Sequence, residues 1–222
     1  MGIISEFYGR LGEDILKATY QHVFLTFTAL VIALVIALPL GIFLAKTRFK
    51  KLSGLILSIA GVIQTIPSLA MIALIVVIFA LIRLPTIGRL PGIVALVLYA
   101  LLPLLRNTYT GIKQVDPVII EVARGMGMKE RQILFSVELP LSLPVITAGI
   151  RIATVWTIGI ATLVGLIGAG GLGDLIIRGL RTIRIDYLLA GTVPAALLAL
   201  VSDWIISRLE RWLTPEGLET GG

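Results

Sequence analysis

The sequence predicts an all-α membrane protein with about five transmembrane helices and one polar loop. Three observations carry that prediction. Hydrophobic residues make up 57% of the 222 residues, charged residues only 14%, and mean hydropathy is +1.02, whereas a soluble domain carries about a quarter charged residues. Charges are nearly absent from five long stretches. Between the third and fourth of these lies a polar island, about residues 117–140.

The elements follow in chain order. Residues 1–17 are mixed in character, and no basic region precedes an apolar one. They read as an extracytoplasmic segment rather than a cleavable signal, able to form an interfacial helix with Phe7, Tyr8, Leu11 and Ile15 on one side. Residues 18–45 and 52–82 hold no Asp, Glu, Lys or Arg, and predict spans over about 22–45 and 54–82. The second run is too short for two spans of about 20 residues each. A third clean run, 90–105, predicts a span over about 90–107, with Arg89 and Arg106 snorkelling to the interfaces. Residues 139–173, interrupted by Arg151, give a span over about 141–168, and residues 187–207, interrupted by Asp203, give the fifth. The spans form one transmembrane domain, 18–213. The tail 214–222 is polar and glycine-rich, and reads as flexible and cytoplasmic.

Lysine and arginine in the connections set the orientation. Eleven basic residues fall on the side of the island, four of them in KTRFKK (46–51), and seven fall on the other. The N-terminus is therefore expected outside, with the island and the C-terminus in the cytoplasm. The net charge of +6 belongs to these loops and calls for no nucleic acid.

Several chemistries fail on context. GAGGLG (168–173) satisfies G-x-G-x-x-G, but a dinucleotide site needs a preceding strand and a soluble βαβ unit. Here the glycines end an apolar helix and let the chain turn at the outer face. Ala161, Gly165 and Ala169, four apart, predict a small-residue stripe on that helix. No phosphate-binding G-x4-G-K-[ST] occurs, so ATP hydrolysis of that type is not expected of this chain. It has no cysteine and a single histidine, His22, so no metal site is expected.

The island, EVARGMGMKERQILFSVELP (121–140), has internal logic. Asp116 is suited to cap a helix that Pro117 begins. Gly125 and Gly127 interrupt that helix, a second short one follows from Lys129, and Pro140 closes the unit. Two short helices joined by a glycine turn make a compact knob. The spacing runs Glu121-x-Ala123, three residues to Gly127, nine more, then Val137-x-Leu139-Pro140. It resembles the EAA loop of the membrane subunits of bacterial ABC importers, E-A-A-x3-G-x9-I-x-L-P, with Val122 and Val137 as mild departures. QTIPSLAMIAL (64–74), LPLLRNTYTGI (102–112), AGIR (148–151) and GAGGLGDLI (168–176) extend the resemblance over about residues 20–215. They are similar to the permeases of glycine betaine, carnitine and choline importers of the OpuC type.

The resemblance implies a type I importer permease fold in a bacterial or archaeal cell membrane. It implies two permease subunits, identical or paralogous, two ATPase subunits that bind ATP and Mg, and an extracytoplasmic solute-binding protein. Glu121, Ala123, Gly127, Leu139 and Pro140 would form the ATPase-coupling loop. A permease for another small solute such as an amino acid is the alternative, and a stand-alone secondary transporter a third reading. Candidate pathway residues are Gln64, Thr65, Pro67 and Ser68, where polar groups and a helix breaker share one span, with Tyr99, Trp156 and Thr157 mid-span. Aromatic faces attract quaternary ammonium groups, which is why Tyr99 and Trp156 are singled out. Arg151 and Asp203 form a candidate buried ion pair, because an ionisable group inside a bilayer is costly alone.

Overall fold

A computed structural model describes residues 2–213, and for residues 2–10 the backbone alone. The tail 214–222 lies outside the described residues. Nine α-helices occur among the described residues, together with one π-turn and one 3-10 turn, and no strand.

Helix α1, Gly2–Lys46, is a single 45-residue rod, about 67 Å long at 1.5 Å per residue. Residues 2–17 of the segment expected to stand apart at 1–17 form its first part. Ala29, Ala33 and Ala37 lie four apart and are fully buried. The row continues to Gly41, where a Cβ would stand 2.7 Å from the Cβ of Thr108 on the central helix. Small residues at this spacing let two backbones approach closely.

Helices α2, Lys50–Thr65, and α3, Ser68–Leu81, occupy the second charge-free run as a pair bent by 104°. The sequence predicts one span over 54–82 with a helix breaker, Pro67, partway along it. Pro67 makes the bend: it lacks an N–H and its ring bars the preceding residue from helical angles. Ile66 is accordingly extended, with φ −70° and ψ 125°.

Helix α4, Arg89–Gln114, is the core of the bundle, packed against α1, α3 and the later α7. It runs beyond the charge-free stretch because the Arg106 and Lys113 side chains lie exposed on its final turns. Helices α5, Pro117–Gly125, and α6, Glu130–Ile133, belong to the polar island, and a π-turn, Leu134–Glu138, leads into α7, Leu139–Ala161.

Helix α7 ends earlier than the apolar run, so Ala161, Gly165 and Ala169 do not share one helix. Gly165 falls in the 3-10 turn Val164–Ile167, and Gly168, Gly170 and Gly171 then adopt φ of +68°, +87° and +89°, angles that favour glycine. Helix α8, Leu172–Thr182, starts hard against the end of α7. A Cβ on Gly173 would lie 2.0 Å from the Thr162 carbonyl oxygen, so only hydrogen fits. Helix α9, Ile185–Leu213, packs on α7 and α8 and completes the bundle.

Candidate functional site

The polar island folds as two short helices joined by a specific stop. Asp116 caps α5 by accepting a hydrogen bond from the Val118 amide at 2.8 Å. At the other end, the Gly127 amide donates to Arg124 O at 3.0 Å and the Met128 amide donates to Ala123 O at 3.2 Å, while Gly127 takes φ +83°. This is a Schellman motif, with Ala123 three residues inside the helix end and Gly127 just past it. The Ala123-x3-Gly127 spacing is therefore the length of a helix stop. Ala123 is buried and Glu121 exposed; Leu139 and Pro140 are half-buried at the start of α7.

The turn is braced by charge. Arg124 Nη2 donates to Glu130 Oε1 at 2.7 Å. That hydrogen bond, with the Arg124 and Lys46 charges, holds the Glu130 carboxyl below the ordinary carboxylate range. The Lys129 amide donates to Gln132 Oε1 at 2.8 Å, opening α6. At the base of the loop Glu138 is 2% exposed, and Lys46 Nζ donates to both of its carboxylate oxygens at 2.8 Å. The contact ties the loop to the end of α1 and sets KTRFKK beside it. Neither residue stood out in the sequence: Glu138 is the unspecified residue between Val137 and Leu139, and Lys46 read as one of several orienting charges.

Between these charges the loop exposes Val118, Ile119, Val122, Met126 and Phe135. Four of the five lie on α5 or its cap. An apolar face on an otherwise polar island is a surface suited to a protein partner.

The pathway candidates do not converge on one site. Gln64, Thr65, Pro67 and Ser68 surround the α2–α3 bend, and two hydrogen bonds fasten that bend to α4. Gln64 Nε2 donates to Tyr99 O at 3.1 Å, and the Tyr99 hydroxyl donates to Ile66 O. Tyr99 is 6% exposed, so its ring packs in the core and its hydroxyl satisfies the broken backbone. Thr157 is fully buried, and its Oγ1 has no hydrogen-bond partner among the described residues. Trp156, one residue earlier, is 51% exposed and lines a groove of about 330 Å³ with Arg151, Ile152 and Asp203.

Arg151 and Asp203 meet in bidentate geometry, Nε to Oδ1 at 2.9 Å and Nη2 to Oδ2 at 3.0 Å. Their side chains are 35% and 39% exposed, so within this subunit the pair is not buried as the sequence had suggested. A third member, Glu210, lies 3.6 Å from Arg151 Nη1; it sat among the charges past the last span and gave no separate signal.

Residues 37–215 match the family described as the binding-protein-dependent transport system inner membrane component. The chain is 43% identical over 218 residues to the carnitine transport permease protein OpuCB of Listeria monocytogenes, covering 98% of this chain and 96% of that one. It is 44% identical over 216 residues to the choline transport system permease protein OpuBB of Bacillus subtilis (strain 168), covering 97% and 96%. Among solved structures, a chain of the MetNI methionine ABC transporter in an inward-facing conformation superposes with a TM-score of 0.83. It is 23% identical and covers 93% of this chain and 99% of that one. The helical bundle is thus the type I importer fold, and the chain belongs to the family of binding-protein-dependent transport system inner membrane components, the permease subunits of ABC importers.

Proposed function

We propose that this chain is one of two permease subunits, identical or paralogous, of an importer that carries quaternary ammonium osmoprotectants into the cell. Glycine betaine, carnitine and choline are the solutes assigned. One observation carries the reading: identities of 41–44% across nearly the whole chain to permeases named for carnitine, choline or glycine betaine transport. The methionine transporter, at 23% identity, shares the fold and argues for no solute.

The family brings an ATPase subunit and a solute-binding protein as partners. We assign two ATPase copies, each seating the loop formed around Glu121, Ala123, Gly127, Leu139 and Pro140, with ATP and Mg bound there and not on this chain. The exposed Val118, Val122 and Met126 side chains support that docking. Dimerisation of the ATPases would rock the loops, and with them α7, alternating access across the membrane. The helices proposed to cross the membrane are α1, the bent pair α2–α3, α4, α7 and α9. The basic cluster beside the loop supports an N-terminus outside and a loop and C-terminus in the cytoplasm. Trp156 is the aromatic ring assigned to the solute path.

The test is reconstitution with the ATPase and binding protein, followed by ATP-dependent uptake of labelled betaine, carnitine, choline and methionine. Uptake of at least one of the first three, and not methionine, is expected. Methionine uptake without any of the three overturns the assignment.

A further inference from the structure

Helix α8 carries Asp174, Arg178 and Arg181 at intervals of four and three residues, which places them along one face. All three side chains are exposed. With Gly165, Gly168 and Thr182 they line a cavity of about 420 Å³. The cavity lies beyond the far end of α7 from the coupling loop. Those 23 residues of helix span about 34 Å, enough to cross the hydrocarbon layer of about 30 Å. With the loop in the cytoplasm, the cavity stands where an incoming solute first meets the subunit.

No ion pair among the described residues consumes the charges in it, although the Arg178 charge acts on the Asp174 carboxylate. None of the ion pairs among the described residues involves Asp174, Arg178 or Arg181. The neighbouring Arg184 pairs with Asp186 and covers the Tyr187 ring at 4.6 Å. Arg178 lies 5.4 Å from the same ring, and stacking through the guanidinium face leaves its N–H edge open. Tyr187 already holds two cations and offers no place for a third. The cavity therefore presents two guanidinium groups and one carboxylate, all able to bind.

The geometry points to this cavity as a receiving site for zwitterionic solutes: Arg178 and Arg181 take a carboxylate while Asp174 faces a quaternary ammonium. Guanidinium forks bind carboxylates through paired, charge-assisted hydrogen bonds. The inference rests on the osmoprotectant reading and deepens it, because it divides that solute class. Glycine betaine and carnitine carry a carboxylate as well as the ammonium. Choline carries only the cation, and two arginines repel it. A surface carboxylate on the binding protein would satisfy the same arginines, and the two sources separate experimentally.

The full importer is reconstituted with wild-type permease, R178Q/R181Q and R178K/R181K, at saturating binding protein, and uptake of each labelled solute is measured. In R178Q/R181Q, betaine and carnitine rates should fall about tenfold, the scale of a lost charge-assisted hydrogen bond, while choline uptake holds or rises. Choline uptake thereby serves as the control for folding and for docking of the binding protein. An equal fall for all three solutes overturns the inference, as docking or misfolding would produce it, and so do unchanged rates. If the wild type carries only carboxylate solutes, R178K/R181K should run at least threefold faster than R178Q/R181Q, and equal rates overturn the inference. Wild-type uptake of choline alone overturns it too. Wild-type uptake of none of the three defeats the osmoprotectant reading itself, a result distinct from all of these.

Discussion

Lys46 and Glu138 stand 92 residues apart and meet through two hydrogen bonds of 2.8 Å. The lysine ends the first helix and the glutamate closes the π-turn that leads into α7, so this ion pair ties the polar island to the longest rod in the bundle. Removing the lysine leaves a carboxylate buried without its counter-charge.

Lys46→Met is accordingly expected to destabilise the subunit by about 3 kcal/mol, at the lower end for breaking a buried pair because Lys46 is part-exposed. ATP hydrolysis should continue while transport per ATP falls. Lys46→Met/Glu138→Leu should recover much of the thermal stability. Melting in detergent and the transport-to-hydrolysis ratio check both statements. A double variant no more stable than the single one would assign the loss to packing instead.

Gly127 sits at φ +83°, and a Cβ there would meet no other atom within 4 Å. Any cost of substitution is therefore backbone strain, about 1–2 kcal/mol for a residue forced left-handed. Gly127→Asn should retain most coupling, Gly127→Ala less, and Gly127→Val least, since β-branching adds its own restriction. The uptake-to-ATPase ratio across the three variants gives the order. Full coupling in the valine variant would remove the stop from the mechanism.

Arg151 has two acceptors, Asp203 and Glu210, whereas Asp203 has one guanidinium in ion-pair contact. Replacing the shared member should hurt more. Arg151→Gln is expected to lower assembled complex more than Asp203→Asn, and Arg151→Gln/Asp203→Asn to recover part of the loss. Additive losses in the double-mutant cycle would show that the side chains act independently.

The chain has no cysteine, so single cysteines report topology without background. One at Thr182 should react with an impermeant maleimide on intact cells, and one at Gln132 only after permeabilisation. The reverse pattern would invert the proposed orientation and move the α8 cavity to the cytoplasmic side.

What could be read from the sequence and what could not divides along physical lines. The loop was legible because Asp116-Pro117 and Ala123-x3-Gly127 are local signals, with every hydrogen bond they imply made within a few residues. Arg151 and Asp203 were legible because a charge in an apolar run has few explanations. Glu210 and Glu138 were not, since a carboxylate among other interfacial charges carries no mark of its partner. The 104° bend was half legible: Pro67 announces a break, yet composition says nothing about the direction the chain takes after it. The early end of α7 was hidden because residues 162–167 stay apolar, and only the left-handed glycines beyond them reverse the path. Tyr99 shows a different limit: an aromatic ring mid-span suggests a solute contact, and nothing in the sequence says that its hydroxyl donates to the Ile66 backbone oxygen at the bend.

The Schellman stop also bears on how the loop would meet a docking partner such as the ATPase proposed above. The backbone groups at the turn are satisfied within the loop itself, so the two short helices hold their mutual angle before any partner arrives. Fixing backbone costs about 1–2 kcal/mol per residue, and a loop that had to order on docking would subtract that cost from its affinity. A preorganised loop avoids it. A small apolar face then suffices for attachment, and the loop itself need not refold when a partner leaves and returns.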